Sequence, residues 1–493
     1  MRFGLALLIL AACSKAPGVE GDAAIDSPPS DAATYPVTGK YVLREVTNDS
    51  QHTPMITEVP VRSLALSVTL ADGSSPHVDV QPDGTFSFSR AASDQPYRLR
   101  VVADGAKPVE YQLAAPHVDI APPLWGRYDR TAVPANTVMS VTATGASSGT
   151  SVIVTTGLWT QTVRTNGNNG AFTLDWRTAG SLSGPIGLLD AAKSDRTYVV
   201  TYDSGGTNPP YTRITTACSA DVSLTPGATT PASCTIAPVA QNRCIHVAAH
   251  VATELSRIAA ATAGTFTYPT NAFNWIAMAA PTPSLGPGGA PWLAYDGGTP
   301  TTDIDRNMTL VGNPFPGHDV SIEMTVARAR SLTLPGATAT SLAIYTQHYV
   351  KPAPDCATTT DLSGVIAFPS LPALDGFVLG NDLFSLELDR SQLHDLTWSV
   401  ASPGAVTYWV VQLHAVTNVG GATALDYRYA WVATDPHVTI DPALLESNTS
   451  YVVYVIASTV FVNPAQGDFR TIDYPAKPYA TGANVSGMFR VTN

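Results

Sequence analysis

Two histidines and a glutamate at regular spacing could together hold a metal ion. His246, His250 and Glu254 lie four residues apart, which would bring all three to one face if the stretch 246–262 were helical. Imidazole and carboxylate groups are ligands that zinc accepts. The general base of the His-Glu-x-x-His zinc peptidases is missing, because Val247 follows the first histidine. If the stretch starts as a strand, the two histidines merely face solvent, so a metal site stays an alternative.

The Gly-x-Ser-x-Gly string of serine hydrolases is present at Gly145–Gly149. A nucleophile elbow needs a strand before this string and a helix after it. Here the flanking runs MSVTAT and TSVIVTT both have the composition of strands. We therefore interpret the string as a hairpin loop and predict no catalytic residue there.

Acidic pairs and aromatic loops supply further candidates. Asp303 with Asp305, and Asp79 with Asp83, could offer oxygen ligands to calcium. Neither pair follows the Asp-x-Asp-x-Asp-Gly pattern of calcium loops, so we interpret both as solvated turns. The tripeptide at 467–469 is Gly-Asp-Phe and not Arg-Gly-Asp. Loops at one end of a β-sandwich are common recognition sites. The residues that fit this role, unless they pack against their own domain, are Tyr474, Pro475, Pro478 and Tyr479.

Five cysteines divide into Cys13 and four in the body of the chain. An even number in an exported protein favours disulfides, and three pairings are possible. We prefer Cys218 with Cys234, because the intervening segment has the pattern of a strand, a Pro-Gly turn and a returning strand. Cys244 and Cys356 would then pair by elimination. No Cys-x-x-Cys spacing supports a thiolate metal site.

The first 13 residues have the pattern of an export signal. Arg2 is followed by an apolar run from Phe3 to Ala12 that is too short to span a bilayer. The run ends in Leu10-Ala11-Ala12-Cys13, which resembles the lipobox of bacterial lipoproteins. The resemblance implies that a signal peptide, residues 1–12, is removed, that Cys13 is lipidated, and that the lipid attaches the protein to a membrane of the cell envelope, at the outer membrane.

Composition restricts the fold and the partners. Charged residues make up only 13% of the chain, and 37 glycines and 39 prolines accompany many β-branched residues, which favours an all-β fold rich in turns. The net charge of −12 repels phosphate, so we expect no nucleic-acid partner. After the signal, no apolar run approaches the roughly 18 residues needed to cross a membrane.

The pattern divides the mature chain into a linker and three regions. Residues 13–36 are rich in Ala, Pro, Ser and Asp and predict a disordered tether. In residues 37–128, short alternating runs surround Asp83-Gly84-Thr85-Phe86 and lead into Tyr-Arg-Leu-Arg-Val at 97–101. This resembles the carboxypeptidase regulatory-like, transthyretin-like modules, which implies a β-sandwich. Residues 129–385 are β-rich and long enough for one or two sandwiches, with a loop at 281–291.

The last region, residues 386–493, has more specific markers. Trp398 lies in one alternating run, and Leu445 precedes Tyr451 by six residues. This arrangement resembles a fibronectin type III domain. The resemblance implies that Trp398 is the core tryptophan and that the Tyr451 hydroxyl bonds back to the loop near Leu445. The stretch 460–486 departs from that family, because it is longer and richer in Pro and Tyr.

The sequence thus predicts an all-β protein, with several β-sandwich (Ig-like) domains in series after a lipid-anchored tether. We expect an envelope lipoprotein with a structural or binding role toward protein or glycan, without enzymatic activity or a cofactor. The alternative is an exported hydrolase or metal-binding protein with its site in residues 129–385.

Overall fold

The structure is a computed structural model and confirms the all-β prediction. It describes residues 34–145, 150–156, 161–165, 171–177, 187–205, 211–240, 243–262, 267–280, 292–298, 302–310, 313–362, 366–380, 382, 384–402, 404–459, 463–470 and 479–492. Within them, strands dominate and a single α-helix occurs. Cys13, Ser147, the predicted loop 281–291, Tyr474, Pro475 and Pro478 lie outside the described residues.

The first region holds ten strands, most of which contribute to a core of its own. Its strands are β1 (Tyr35–Tyr41), β2 (Leu43–Asn48), β3 (Pro54–Val59), β4 (Leu64–Leu70), β5 (Asp79–Val80), β6 (Thr85–Arg90), β7 (Tyr97–Ala103), β8 (Val109–Leu113), β9 (His117–Ala121) and β10 (Pro123–Trp125). The alternate residues Phe86 and Phe88 of β6 and Tyr97 and Leu99 of β7 point into this core. Strand β1 begins at Tyr35, two residues before the predicted start of this region.

The middle region contains the helix and the longest strands. Its elements are β11 (Val138–Thr144), β12 (Thr150–Thr156), β13 (Gln161–Thr165), β14 (Ala171–Asp175), β15 (Arg196–Gly205), β16 (Tyr211–Ala220), β17 (Thr229–Thr235), β18 (Ala237–Pro238), β19 (Arg243–Ala249), α1 (Val251–Ala261), β20 (Thr270–Ala280), β21 (Trp292–Gly298), β22 (Ile304–Leu310), β23 (Asp319–Leu332), β24 (Thr340–Val350) and β25 (Thr359–Asp361), with a short 3₁₀ helix at Ala191–Lys193. One core surrounds Trp176 and a larger one surrounds Trp275.

A fourth core lies in the last region and in the strands just before it. Three strands precede the predicted boundary at 385 and a fourth crosses it: β26 (Phe368–Pro369), β27 (Ala373–Leu374), β28 (Phe377–Val378) and β29 (Phe384–Leu386). The strands after the boundary are β30 (His394–Thr397), β31 (Val400–Ser402), β32 (Tyr408–Val419), β33 (Ala422–Ala433), β34 (His437–Ile440), β35 (Ser450–Ser458), β36 (Asp468–Arg470), β37 (Tyr479–Val485) and β38 (Phe489–Val491), with 3₁₀ helices at Pro442–Leu444 and Pro464–Gln466. Trp398, Trp409 and Trp431 lie together in this fourth core.

Hydrogen-bonded strands connect the three regions. An 18-stranded sheet contains strands of all of them, and β8 pairs in parallel with β33. In the middle of this sheet, β20, β23, β24, β37, β35 and β32 lie side by side, and each neighbouring pair is antiparallel. Strand β36, from the last region, adds in parallel to β9 of the first. The domain boundaries at 128 and 385 stay predictions, but the sheets continue across both.

Two disulfides join neighbouring elements with the pairing that the sequence favours. Cys218 on β16 bonds Cys234 on β17, with 5.7 Å between their Cα atoms. Cys244 on β19 bonds Cys356, which lies just before β25, at a Cα separation of 5.3 Å. Both separations are ordinary for a disulfide. These four sulfurs are therefore not thiolate ligands for a metal.

Among the described residues, no helix combines the length and the apolar character that crossing a membrane requires.

Candidate functional site

The stretch predicted as either a helix or a strand contains both. Strand β19 carries His246, the chain turns at His250, and helix α1 begins at Val251. The first half has the alternation of a strand, because Ile245 and Val247 both point into the main core. The second half has the spacing of a helix, in which Val251 and Ile258 are buried. The prediction of a continuous helix from residue 246 is therefore wrong, and the side chains of His246, His250 and Glu254 do not share one helix face.

Each histidine instead faces one of the aspartates considered for calcium. His246 Nε2 lies 2.5 Å from Asp305 Oδ1, and His250 Nδ1 lies 3.4 Å from Asp303 Oδ2. Asp303 also accepts a hydrogen bond from the Ala252 backbone N–H at 2.9 Å, so it caps the start of α1. In the part of the chain that the structure describes, no group of three or more His, Cys, Asp or Glu side chains could hold a metal ion.

A hydroxyl completes a short line of groups at His246. Thr359 Oγ1 lies 3.5 Å from His246 Nδ1, on the opposite side of the ring from Asp305. Hydroxyl, imidazole and carboxylate stand in this order in hydrolytic triads. The Asp305 side chain is 75% exposed, so water screens its charge and it orients the ring only weakly. We interpret the group as a surface contact between β19 and β22.

Glu254 lies on the buried face of α1 and has a structural environment. Arg257 Nη1 donates to both of its carboxylate oxygens, at 3.0 and 3.1 Å, and Arg257 Nε donates to Ser402 Oγ at 3.0 Å. Burial raises the pKa of Glu254 even though Arg257 opposes the shift. Burial likewise lowers the pKa of the neighbouring His348 to about 4. These groups fix α1 to the strands below it.

The remaining acidic candidates take part in turns and a sheet edge. Asp83 accepts hydrogen bonds from both the backbone N–H and the hydroxyl of Thr85, which closes the turn before β6. Asp79 lies 3.2 Å from the exposed His77. Asp468 is paired with Arg470 at 2.8 Å on β36. None of these arrangements directs several oxygens at one point.

The two residues singled out by the fibronectin resemblance occupy the predicted places. Trp398 is buried and packs edge-on against Trp409, with ring centroids 5.6 Å apart. The Tyr451 hydroxyl accepts a hydrogen bond from the Glu446 backbone N–H at 2.7 Å, next to Leu445. This local geometry matches the prediction, while the family itself stays a prediction.

A row of polar side chains crosses the large sheet on the face opposite the main core. Trp275 of β20 and Met324 and Val326 of β23 point into that core. Their immediate neighbours along each strand therefore point to the other face. The strand register places six such residues side by side, one on each of six neighbouring strands. We call them the transverse row: Asn274, Thr325, Gln347, Thr481, Ser458 and Tyr408.

A carboxylate and two tyrosines flank the transverse row. Glu323, Tyr349 and Tyr479 are register partners on β23, β24 and β37. Gln347 Nε2 donates to Glu323 Oε1 at 2.7 Å, and the Thr325 hydroxyl donates to the same oxygen at 2.9 Å. The rings of Tyr349 and Tyr479 stack with centroids 5.0 Å apart.

Burial governs the protonation of this flank. Glu323 is 5% exposed and Tyr349 only 3%. Burial raises the pKa of Glu323, while its hydrogen bonds from Gln347 and Thr325 oppose the shift. Burial, followed by the nearby Glu323 charge, raises the pKa of Tyr349 well above its ordinary value. The tyrosine hydroxyl therefore remains protonated and can donate a hydrogen bond.

Single strands carry only part of this signal. Tyr345, Gln347 and Tyr349 alternate along β24, and Tyr479 and Thr481 alternate along β37. Each run alone is typical of the outer face of a sandwich strand. Only the pairing of these two strands, which are far apart in the chain, brings the polar positions into one row.

Comparison with known proteins adds no assignment to this geometry. A scan with protein-family models finds no match to the chain, and a search of curated proteins likewise finds none.

Proposed function

We propose that this chain is an exported, lipid-anchored protein of the cell envelope that binds a protein or glycan on the transverse row. The anchor rests on the sequence, in which the apolar run ends at Cys13. Export agrees with the two disulfides, because such bonds persist in oxidising compartments. The β-sandwiches then act as a support for the binding face.

One observation carries the binding role. Asn274 Oδ1 and Thr481 Oγ1 are buried in the transverse row, and neither has a hydrogen-bond partner in the described part of the chain. Buried polar atoms without partners cost free energy, and ligand groups that pair with them would remove this cost.

The anchor is tested by Cys13→Ala. We expect this variant to move from the membrane fraction to the soluble extracellular or periplasmic fraction, because it lacks the thiol that would carry the lipid. Ser14→Ala is the matched control and should remain with the membrane. Immunoblotting of separated fractions measures the distribution, and membrane retention of Cys13→Ala would contradict the proposal.

The binding role is tested by amide hydrogen exchange. Incubation of the full chain with solubilised envelope fractions should slow exchange in β24 and β37 more than in β11 and β14, which belong to a separate sheet. Prior protease treatment of the fraction distinguishes a protein ligand from a glycan. If amide exchange is the same with and without each fraction, the binding role is contradicted and a purely structural role is supported.

A further inference from the structure

We propose that Asn307 and Asn448 are acceptors for N-linked oligosaccharides, which an envelope oligosaccharyltransferase transfers from a polyprenyl diphosphate carrier. The proposal rests on the export argued above and is independent of the lipid anchor and of the binding role. Asn-x-Ser/Thr, where x is not proline, is the acceptor tripeptide for such glycans in exported proteins. The sequence contains four of these tripeptides, which begin at Asn48, Asn307, Asn448 and Asn484.

Two of the four asparagines are buried, and their amide nitrogens are already bonded. Asn48 is 4% exposed, and its Nδ2 donates to Thr156 Oγ1 at 2.8 Å and to the Ser194 carbonyl at 3.1 Å. Asn484 is fully buried, and its Nδ2 donates to the Pro369 carbonyl at 3.0 Å. A glycan is attached through this nitrogen, so the fold leaves no room for one at either position.

The other two asparagines are exposed to solvent. Asn307 lies on β22, where its neighbour Met308 points into the main core and Asn307 itself points outward. Among the described residues, β22 is the outer strand of a three-stranded sheet and pairs with β19. Asn448 is exposed in the loop before β35. At both positions a bulky group could extend into solvent.

A second feature of the sequence selects the same two asparagines. Acceptor sequences of bacterial oligosaccharyltransferases extend the tripeptide by an acidic residue two positions before the asparagine. Asp305 and Glu446 occupy this position before the two exposed asparagines. The corresponding residues before the two buried asparagines are Val46 and Gly482. Exposure and the acidic residue are independent observations, and they agree at all four tripeptides.

The geometry of β22 presents the whole acceptor sequence on one face. In an extended strand, side chains two residues apart point to the same side. Asp305, Asn307 and Thr309 are accordingly all exposed, and the Asp305 side chain retains 75% of its accessible surface beside His246. An enzyme that binds this strand would therefore meet the carboxylate, the amide and the hydroxyl side by side.

The loop at Asn448 carries the same three groups at the same spacing. Glu446 and Asn448 are exposed, and Ser450 is partly exposed at the start of β35. The Glu446 side chain is 57% exposed and lies 3.3 Å from Arg428. A surface ion pair of this kind is weak, so the carboxylate remains available to another partner. Asn448 has a φ of 60°, a conformation that asparagine tolerates in turns.

The transfer is a substitution at the first carbon of the sugar. The asparagine Nδ2 attacks this carbon, a C–N bond forms, and the C–O bond to the diphosphate breaks. Polyprenyl diphosphate leaves, and the amide nitrogen loses one proton. Because the amide lone pair is delocalised into the carbonyl group, asparagine is a weak nucleophile. The reaction therefore depends on an enzyme that recognises the flanking residues, and these are the residues that distinguish the two exposed sites.

Mass spectrometry of peptides from the full chain, purified from the envelope of the cells that produce it, tests the proposal. We expect sugar residues on the peptides that contain Asn307 and Asn448. The peptides that contain Asn48 and Asn484 should be unmodified and serve as internal controls. Unmodified peptides at both exposed asparagines, or a sugar on either buried asparagine, would overturn the proposal.

Variants of the flanking residues keep both acceptor asparagines and test their recognition. Glu446→Gln and Ser450→Ala should each remove the sugar from Asn448 and leave it on Asn307, which reports that the variant chain is exported. Ser450→Thr is the matched control and should retain the sugar at both sites. A sugar retained at Asn448 in Ser450→Ala would contradict the assignment, and one retained in Glu446→Gln would contradict the role of the carboxylate.

The same peptides, analysed without reduction, separate this proposal from the export on which it rests. If Cys218 and Cys234 are bonded and the two exposed asparagines carry no sugar, the glycan assignment is wrong and export stands. If these cysteines are free thiols and the asparagines are also unmodified, both the glycan assignment and export are contradicted.

Discussion

At the scale of single residues, buried titratable groups set how this protein responds to pH. His318 is largely buried, and its Nδ1 hydrogen bonds to the Pro316 carbonyl at 2.8 Å. Burial lowers the pKa of His318 to about 4. In the unfolded chain a histidine takes up a proton near pH 6.5. Stability from the neutral ring is therefore present above pH 6.5 and is lost as pH falls toward 4.

This linkage predicts a measurable slope at His318. Between pH 7 and 4.5 the single histidine should remove about 2 kcal/mol from the free energy of unfolding, because the unfolded state alone binds the proton. His318→Gln should flatten the pH dependence by that amount in urea unfolding. His77→Gln, at an exposed histidine, is the control. Equal slopes in His318→Gln and the wild type would contradict the assignment.

At the scale of elements, the short strand β36 joins the end of the chain to its first region. The Asp119 N–H donates to the Gly467 carbonyl at 2.9 Å, and the three residues of β36 then pair with β9. Gly467 has a φ of 75°, which favours glycine. A Cβ atom there would also collide with the His117 carbonyl oxygen.

Gly467→Ala should therefore detach β36 from β9. Gly336→Ala is a close control, because Gly336 has a φ of 76° but nothing within 4 Å of the added Cβ. Both variants carry the backbone strain of about 1 kcal/mol, and only Gly467→Ala adds the collision. We expect faster amide exchange in His117–Ala121 for Gly467→Ala alone. Equal exchange in the two variants would show that β36 does not hold β9.

At the scale of the whole molecule, the regions read from the sequence are parts of one hydrogen-bonded assembly. Alternation along β6, β7 and β32 was visible in the sequence, because residues that point into a core recur at every second position. The disulfide between Cys218 and Cys234 was also predictable, since a local turn separates the two cysteines. Both features depend on neighbours close in the chain.

Features that depend on distant neighbours escaped prediction. His246 and Asp305 each had a separate interpretation as a metal ligand, and only the pairing of β19 with β22 brings them together. The transverse row needs six strands in one register, and Gln347 meets Thr481 through β24 and β37. The hydrogen bonds between strands join backbone groups and do not depend on side-chain identity. A polar residue on an outer face therefore does not indicate which residue of another strand will lie beside it.

The sequence by itself determined the all-β class, the inward and outward faces of individual strands, and the even set of cysteines in the body of the chain. These properties follow from composition and from alternation between adjacent residues. Only the tertiary structure decided which strands became neighbours, where β36 docked, and that the outward polar residues formed a row. Strand order reflects the packing of all the cores at once, and no short segment contains that information.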